Sequence, residues 1–147
     1  MIEHCTDYRR VKRLADANPI SEDKPWKLAI WRDVKYLIET DDDTGEDLGV
    51  WCFEPDDEKE NGFLMHAAMG PKCRGKRAVS SALDAISWLF DNTDACGIIA
   101  PINVKTRGAC VIAISTGLKP MGEHGDMRRY YIDRSLYADV RKGYRDG

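Results

Sequence analysis

No stretch of this 147-residue chain approaches the ~18–20 apolar residues that a membrane-spanning helix needs. Its opening residues, Met1-Ile-Glu-His-Cys, have neither the basic nor the apolar region of a signal peptide. The five cysteines (Cys5, Cys52, Cys73, Cys96 and Cys110) are odd in number and never stand in C-x-x-C spacing. That excludes the common zinc and thioredoxin-like patterns and points to reduced thiols in a cytoplasmic setting. Three scattered histidines suggest no metal site. There is no basic excess either, with 22 Lys and Arg against 25 Asp and Glu. A general nucleic-acid binder needs a basic surface to neutralise phosphates, so that class is disfavoured. Repeats, low-complexity tracts and linkers are missing too. What remains is an ordinary globular composition, 43% hydrophobic and 32% charged, of a length that suits one domain over residues 1–147.

Two familiar phosphate-binding patterns are also lacking: no G-x-x-x-x-G-K-[ST] and no G-x-G-x-x-G occurs. The chain has something else in that role. Met65-His-Ala-Ala-Met-Gly-Pro-Lys-Cys-Arg-Gly-Lys-Arg-Ala78 runs straight into Val79–Phe90. It reads as a short apolar strand, a Gly- and Lys/Arg-rich turn, then an amphipathic helix. Such an order offers the free N–H groups of a helix start to an anion. Lys72, Arg74, Lys76 and Arg77 surround the turn, so a multiply charged phosphate ligand suits it best. Cys73 lies among these cations, which would lower a thiol pKa if it were exposed. A small buried residue is the favoured reading of it.

Apolar spacing predicts a helix over Asp7–Ala17, stopped by Asn18-Pro19. Pro25–Trp31 alternates at Trp26, Leu28 and Ile30 but is also compatible with a short helix. Strands are predicted at Val34–Thr40, Leu48–Glu54 and Gly62–Met69, an antiparallel meander joined by polar loops. The first of those loops, Asp41–Asp47, is acidic; it reads as a solvated hairpin that keeps the sheet edge soluble, or as an attractor of cations. A helix follows at Lys76–Phe90, then an apolar strand at Cys96–Ile102. That strand lies parallel to the one before the helix in a right-handed β-α-β unit. A second helix covers Val104–Thr116 and ends at Gly117. Two short strands, Lys119–Glu123 and Met127–Asp133, come last, and the charged residues 138–147 read as a frayed tail.

The turn and the element order together resemble the GNAT N-acetyltransferase superfamily. Pro71-Lys-Cys-Arg-Gly-Lys-Arg-Ala78 is similar to the family's pyrophosphate loop, [QR]-x-x-G-x-[GA], with Arg77 where the next glycine falls. Gly117-Leu-Lys-Pro-Met-Gly122 is similar to the family's G-F-x-x-x-G. The resemblance covers nearly the whole chain and implies an α/β fold with a mixed sheet, the acyl-CoA N-acyltransferase fold. Short loops add a likeness to small single-domain proteins of this type encoded by bacteriophages. The resemblance implies acetyl-CoA as co-substrate, no metal, and a primary amine acceptor that is a small molecule or a protein. It implies that pantetheine pairs with Ala67, Ala68 and Met69, and that pyrophosphate meets Lys72 and the amides from Arg74 through Gly75, Lys76 and Arg77 to Ala78. It also places Asn103 near pantetheine or at the next helix start.

Two family positions differ. A fourth-strand glutamate, often the general base, is Phe63 here, and the tyrosine acid of the second helix is Ala113. His66 is the only titratable side chain on that strand and is suited to proton transfer near neutral pH. Strict alternation sets it on the opposite face from Phe63, unless a β-bulge intervenes. Glu54, acting through water, is the second candidate base. Ser115 or Tyr130 would replace the acid, or solvent would; Tyr130 also reads as a packing or substrate-wall residue. The function expected is acetyl transfer to a primary amine by direct attack on the thioester. The alternative is a catalytically degenerate protein of the same fold that serves a virion or host-takeover role by binding. An exposed sheet edge makes a homodimer a reasonable expectation.

Overall fold

The computed structural model describes residues 1–18 and 33–146. In chain order the elements are β1 (Ile2–Cys5), α1 (Tyr8–Ala17), β2 (Lys35–Thr40), β3 (Asp47–Pro55), β4 (Gly62–Met69), α2 (Lys76–Asn92), β5 (Gly97–Asn103), α3 (Arg107–Thr116), β6 (Lys119–His124), β7 (Met127–Asp133) and α4 (Arg134–Asp146). The strands form one seven-stranded sheet in the order β1-β2-β3-β4-β5-β7-β6. Only β4 and β5 pair in parallel; every other neighbour is antiparallel.

The middle strands are apolar on both sides because helices cover both faces, which removes the in–out polarity of a one-sided sheet. On one face, Tyr36, Ile38, Val50, Cys52 and Ala68 pack against Val11 and Leu14 of α1. Asp7 caps that helix, its carboxylate accepting from the Arg9 and Arg10 amides. Arg10 then donates Nε and a terminal nitrogen to the two Asp47 oxygens at 2.8 and 2.6 Å, fixing α1 to the start of β3. On the other face, Leu37, Trp51, Phe53, Phe63, Met65 and Ile98 meet Ala82, Ala85, Ile86 and Leu89 of α2. Small residues along α2 let the helix lie close to the sheet. There Trp51 Nε1 donates to Ser81 Oγ at 2.8 Å inside the core. Gly117 ends α3 with φ 100°, a left-handed conformation, and a Cβ there would stand 2.5 Å from a Val140 methyl.

The expected meander, the helix after the basic turn, the parallel strand and the last two strands are all present. Three differences have physical causes. β1 was not predicted: it is a four-residue edge strand with mixed polarity, held by pairing with β2 rather than by an apolar pattern. The expected frayed tail at 138–147 is instead most of α4. Tyr137 is buried there and stacks on Phe90 with ring centroids 5.0 Å apart, while Leu136 and Val140 pack beside it. Asp133 Oδ1 accepts from the Leu136 amide at 2.8 Å, which starts that helix. And α3 begins at Arg107 rather than Val104, because Asn103 Oδ1 accepts from the Lys105 amide and makes a turn first. The expectations for Pro25–Trp31 lie outside the described residues. Among the described residues no helix is long and apolar enough to cross a membrane.

Leu89 is wholly enclosed between α2 and the sheet. Leu89→Ala should lower unfolding free energy by ~2–5 kcal/mol in urea titrations. Val111→Ala, at an exposed site on α3, should change it by less than ~0.5 kcal/mol.

Candidate functional site

Parallel pairing between β4 and β5 covers only Gly62 with Gly97, Phe63 with Ile98 and Leu64 with Ile99. Beyond that, β4 continues to Met69 paired only with β3, and β5 continues to Asn103 paired only with β7. The two strands therefore diverge from Met65 and Ala100 onward. The opening faces the turn Gly70–Gly75 and the first turn of α2. Ala67 and Met69 lie half-buried on the α2 face of this stretch, while Ala68 is buried against α1.

Gly75 is the N-cap of α2 with φ 57° and ψ −131°, and no side chain caps the helix. That leaves the first-turn amides of Lys76, Arg77 and Ala78 without intrahelical partners. A Cβ at Gly75 would meet nothing within 4 Å, so the glycine is needed for its left-handed backbone rather than for clearance. Cys73 anchors the turn from inside: it is fully buried with Leu48 and Ala78, and its amide donates to the Gly70 carbonyl. Thr106 at the α3 start also makes no side-chain cap bond, so two uncapped helix N-termini border the same end of the sheet.

The four cations divide into two pairs. Lys72 Nζ meets Glu46 at 2.8 Å, and Arg77 lies 3.9 Å from Asp41. The acidic hairpin therefore lies against the basic turn. Asp41 is held below the ordinary carboxylate pKa, first by hydrogen bonds from the Thr44 and Asp43 amides and only last by Arg77. Arg74 and Lys76 are exposed and have no ion-pair partner among the described residues. Arg77 Nε is buried with no hydrogen-bond partner. Unpaired amides, an orphaned guanidinium nitrogen and two free cations fit a diphosphate.

β4 pairs with β3 without a register shift, so alternation is unbroken and no bulge reorients His66. Phe63 is buried on the α2 face and His66 is on the α1 face. There Nε2 of His66 and Oε1 of Glu54 are 2.7 Å apart, with side chains 29% and 32% exposed. The two sequence candidates for the base are thus one hydrogen-bonded pair. It occurs because Cys52 faces His66 and Glu54 faces Leu64 across the strands, putting Glu54 diagonal to His66 on one face. His66 is the next α1-face residue after Leu64, where the pairing with β5 stops.

The other residues singled out from the sequence have different surroundings. Ala113 is buried in the core, and Ser115 is exposed on the outer side of α3, turned to solvent. Asn103 is used by its turn and does not cap α3. Tyr130 is 0% exposed, and its hydroxyl is buried with no hydrogen-bond partner. It pairs with Ala100, the first β5 residue past the end of the β4 pairing, on the α2 face. Arg128, two residues away on that face, is held above the usual arginine pKa by the nearby phenol first and Glu123 second, although its geometry makes no hydrogen bond to that phenol.

These features, a splayed parallel pair and a phosphate-type turn in this strand order, define the GNAT acyltransferase fold. Neither a protein-family model nor a curated protein sequence matches the chain. Solved structures do. A spermidine N-acetyltransferase from Vibrio cholerae in complex with CoA and spermine is 14% identical with TM-score 0.76, over 94% of this chain and 97% of that one. A point mutant of the enzyme from Vibrio cholerae gives TM-score 0.73 at 15% identity, covering 96% and 99%. A dodecameric form from the same organism gives 0.73 at 16%, covering 93% and 95%. At such identities the likeness is one of fold.

Burial pushes the Cys52 thiol up to about 12 and raises that of Cys73 despite its cationic neighbours. The structural reading of Cys73 is the one the geometry supports. Cys52 therefore stays protonated as pH rises from 8 to 10, and any stability it lends is lost only above pH 9, as the unfolded thiol ionises first. Iodoacetamide labelling of native protein, read by peptide mass spectrometry, should modify partly exposed Cys96 first. Cys52 and Cys73 should remain unlabelled until the protein is unfolded.

Proposed function

We propose that the protein is an acetyl-CoA-dependent N-acetyltransferase acting on a primary amine. The observation that carries this is the divergence of β4 and β5, which opens at one end on the uncapped α2 start and at its apex on the His66–Glu54 pair. The structural neighbour that was solved with CoA and spermine supports it.

In this reading Arg74 and Lys76 receive the pyrophosphate together with the amides of Lys76, Arg77 and Ala78. Lys72 and Arg77 exchange their acidic partners for phosphate oxygens. Such an exchange is easy, since exposed ion pairs contribute only ~0–1 kcal/mol. Backbone of Ala67 and Met69, whose polar groups face away from β3, holds the pantetheine arm beside Ala68, and the Met69 amide polarises the carbonyl. Asn103 stands at the far lip of the opening. Bound acetyl-CoA supplies an acetyl group activated as a thioester. Glu54 accepts from His66 Nε2–H, which leaves the lone pair on Nδ1. That nitrogen takes the proton of the attacking amine as the C–N bond forms and the C–S bond breaks. Tyr130 is assigned the proton that the departing thiolate takes up. A buried hydroxyl without a partner is costly to keep, which is a reason to look for a role for it.

Acetyl-CoA titrated calorimetrically should bind with micromolar affinity, and Arg74→Glu/Lys76→Glu should weaken it at least tenfold. No binding by folded wild type would remove the enzyme reading and leave a binding protein on this fold. In steady-state assays His66→Gln and Glu54→Gln should each lower kcat/KM by ~10²–10⁴-fold with CoA affinity retained. Tyr130→Phe should lower kcat while keeping or raising thermal stability, and an unchanged rate would return Tyr130 to packing.

A further inference from the structure

A cavity of about 160 Å³ opens on the α1 face of the sheet, at the paired end of β4 and β5. Its floor is a dip made by Gly62 and Gly97, direct partners in register, neither of which puts a side chain onto that face. A Cβ at Gly97 would meet only ordinary contacts, so that half of the dip is unfilled space, whereas one at Gly62 would stand 3.2 Å from Lys59, which closes over that glycine. Its walls are Asp56 and Lys59 from the β3–β4 loop, Tyr131 and Asp133 from β7, and Met121 from β6.

Two aspartates and one lysine are among the residues that line it. Asp56 and Asp133 each use Oδ1 to accept a backbone amide, from Glu58 at 2.9 Å and Leu136 at 2.8 Å. Those bonds fix the carboxylates and leave the second oxygen of each available. Neither makes an ion pair among the described residues. Between them the surface is apolar, formed by Ile99 and the Tyr131 ring. Gly62, Leu64 and His66 lie on the same face of β4, so only Leu64 separates the cavity from the His66–Glu54 pair. Four strand residues span ~13 Å.

We propose that this cavity is the binding site for the distal ammonium of a linear aliphatic polyamine whose other end reaches His66. The inference rests on the amine-acetylation reading for the role of His66, but the cavity's own chemistry stands apart from it. A chain with methylenes between two amines on the order of 10 Å apart matches a base at one end, an apolar stretch and fixed carboxylates at the other. A monoamine reaches only one of these, and a peptide lysine presents its single ammonium to the base and has none left for the cavity.

Spermidine is the probe. Calorimetric titration of the wild type should show saturable binding at least tenfold tighter than butylamine. Asp56→Asn/Asp133→Asn should weaken spermidine binding at least tenfold. Asparagine keeps an oxygen for both amide contacts, so the loop and the α4 start are preserved, and circular dichroism verifies that. No spermidine binding, equal binding by the double variant, or no preference over butylamine each overturns the proposal. CoA is titrated in parallel. Spermidine binding without CoA binding would sink acetyl transfer and keep the polyamine site, whereas CoA binding without spermidine binding would do the reverse.

Discussion

Three residue pairs of parallel ladder hold β4 against β5, and then the ladder stops. Everything of chemical interest depends on that interruption. A parting of two central strands exposes backbone groups that a continuous sheet would have paired, and these need solvent or a ligand as partners, while pairing on the outer side keeps each strand in place. Here β3 follows β4 along its whole length and β7 follows β5 along its whole length. The opening is therefore rigid on both lips. Its apex is closed by Phe63 and Ile98, which are wedged under Ile86 and Leu89 of α2. The same helix that seals the core begins at Gly75, so its unpaired amides are delivered to the mouth of the opening by core packing alone.

Electrostatics at that mouth are local. The chain is net acidic, yet four cations gather in six residues, because the acidic hairpin Asp41–Asp47 lies beside them and offsets their repulsion. Two of the cations are held by exposed, weak bridges and two have no ion-pair partner among the described residues. Such an arrangement keeps the turn ordered without a ligand while leaving its charge accessible to one. Cys73 contributes from beneath as an apolar anchor, and its burial raises the pKa of a thiol set among cations.

How much of this was legible in the chain follows from which forces are local. The strands around Trp51, Phe63 and Ile98 were readable because their apolar runs are bounded by turn residues, and the Gly75 turn because its residue types have one obvious use. The side of β4 that carries His66 was readable from alternation alone. Its partner was not: Glu54 is twelve residues away and becomes diagonal to His66 only through the β3–β4 register. The cavity was invisible for the same reason, since Gly62 and Gly97 are adjacent only in the folded sheet. β1 has too few residues for a pattern to show. In α4, the spacing of Leu136, Tyr137 and Val140 behind the capping Asp133 was a usable signal, masked by the charged residues around it.

The two sheet faces have separate work, and a single register divides it. Along β4 the α2 face carries Phe63, Met65 and Ala67, which fill the core, while the α1 face carries Leu64 and His66. A one-residue slip against β3 would turn His66 toward Ile86 and Leu89 and move Phe63 and Met65 to the α1 face, where Leu64 and His66 are now half-buried. That exchange buries an imidazole and leaves two large apolar side chains partly in water, so polar and apolar burial both oppose it. The orientation of the candidate base is thus not maintained by its own hydrogen bond to Glu54. Core residues on the opposite face enforce it, and the hydrogen bond then selects the rotamer and the nitrogen that carries the proton. Chemistry on one face is specified by packing on the other.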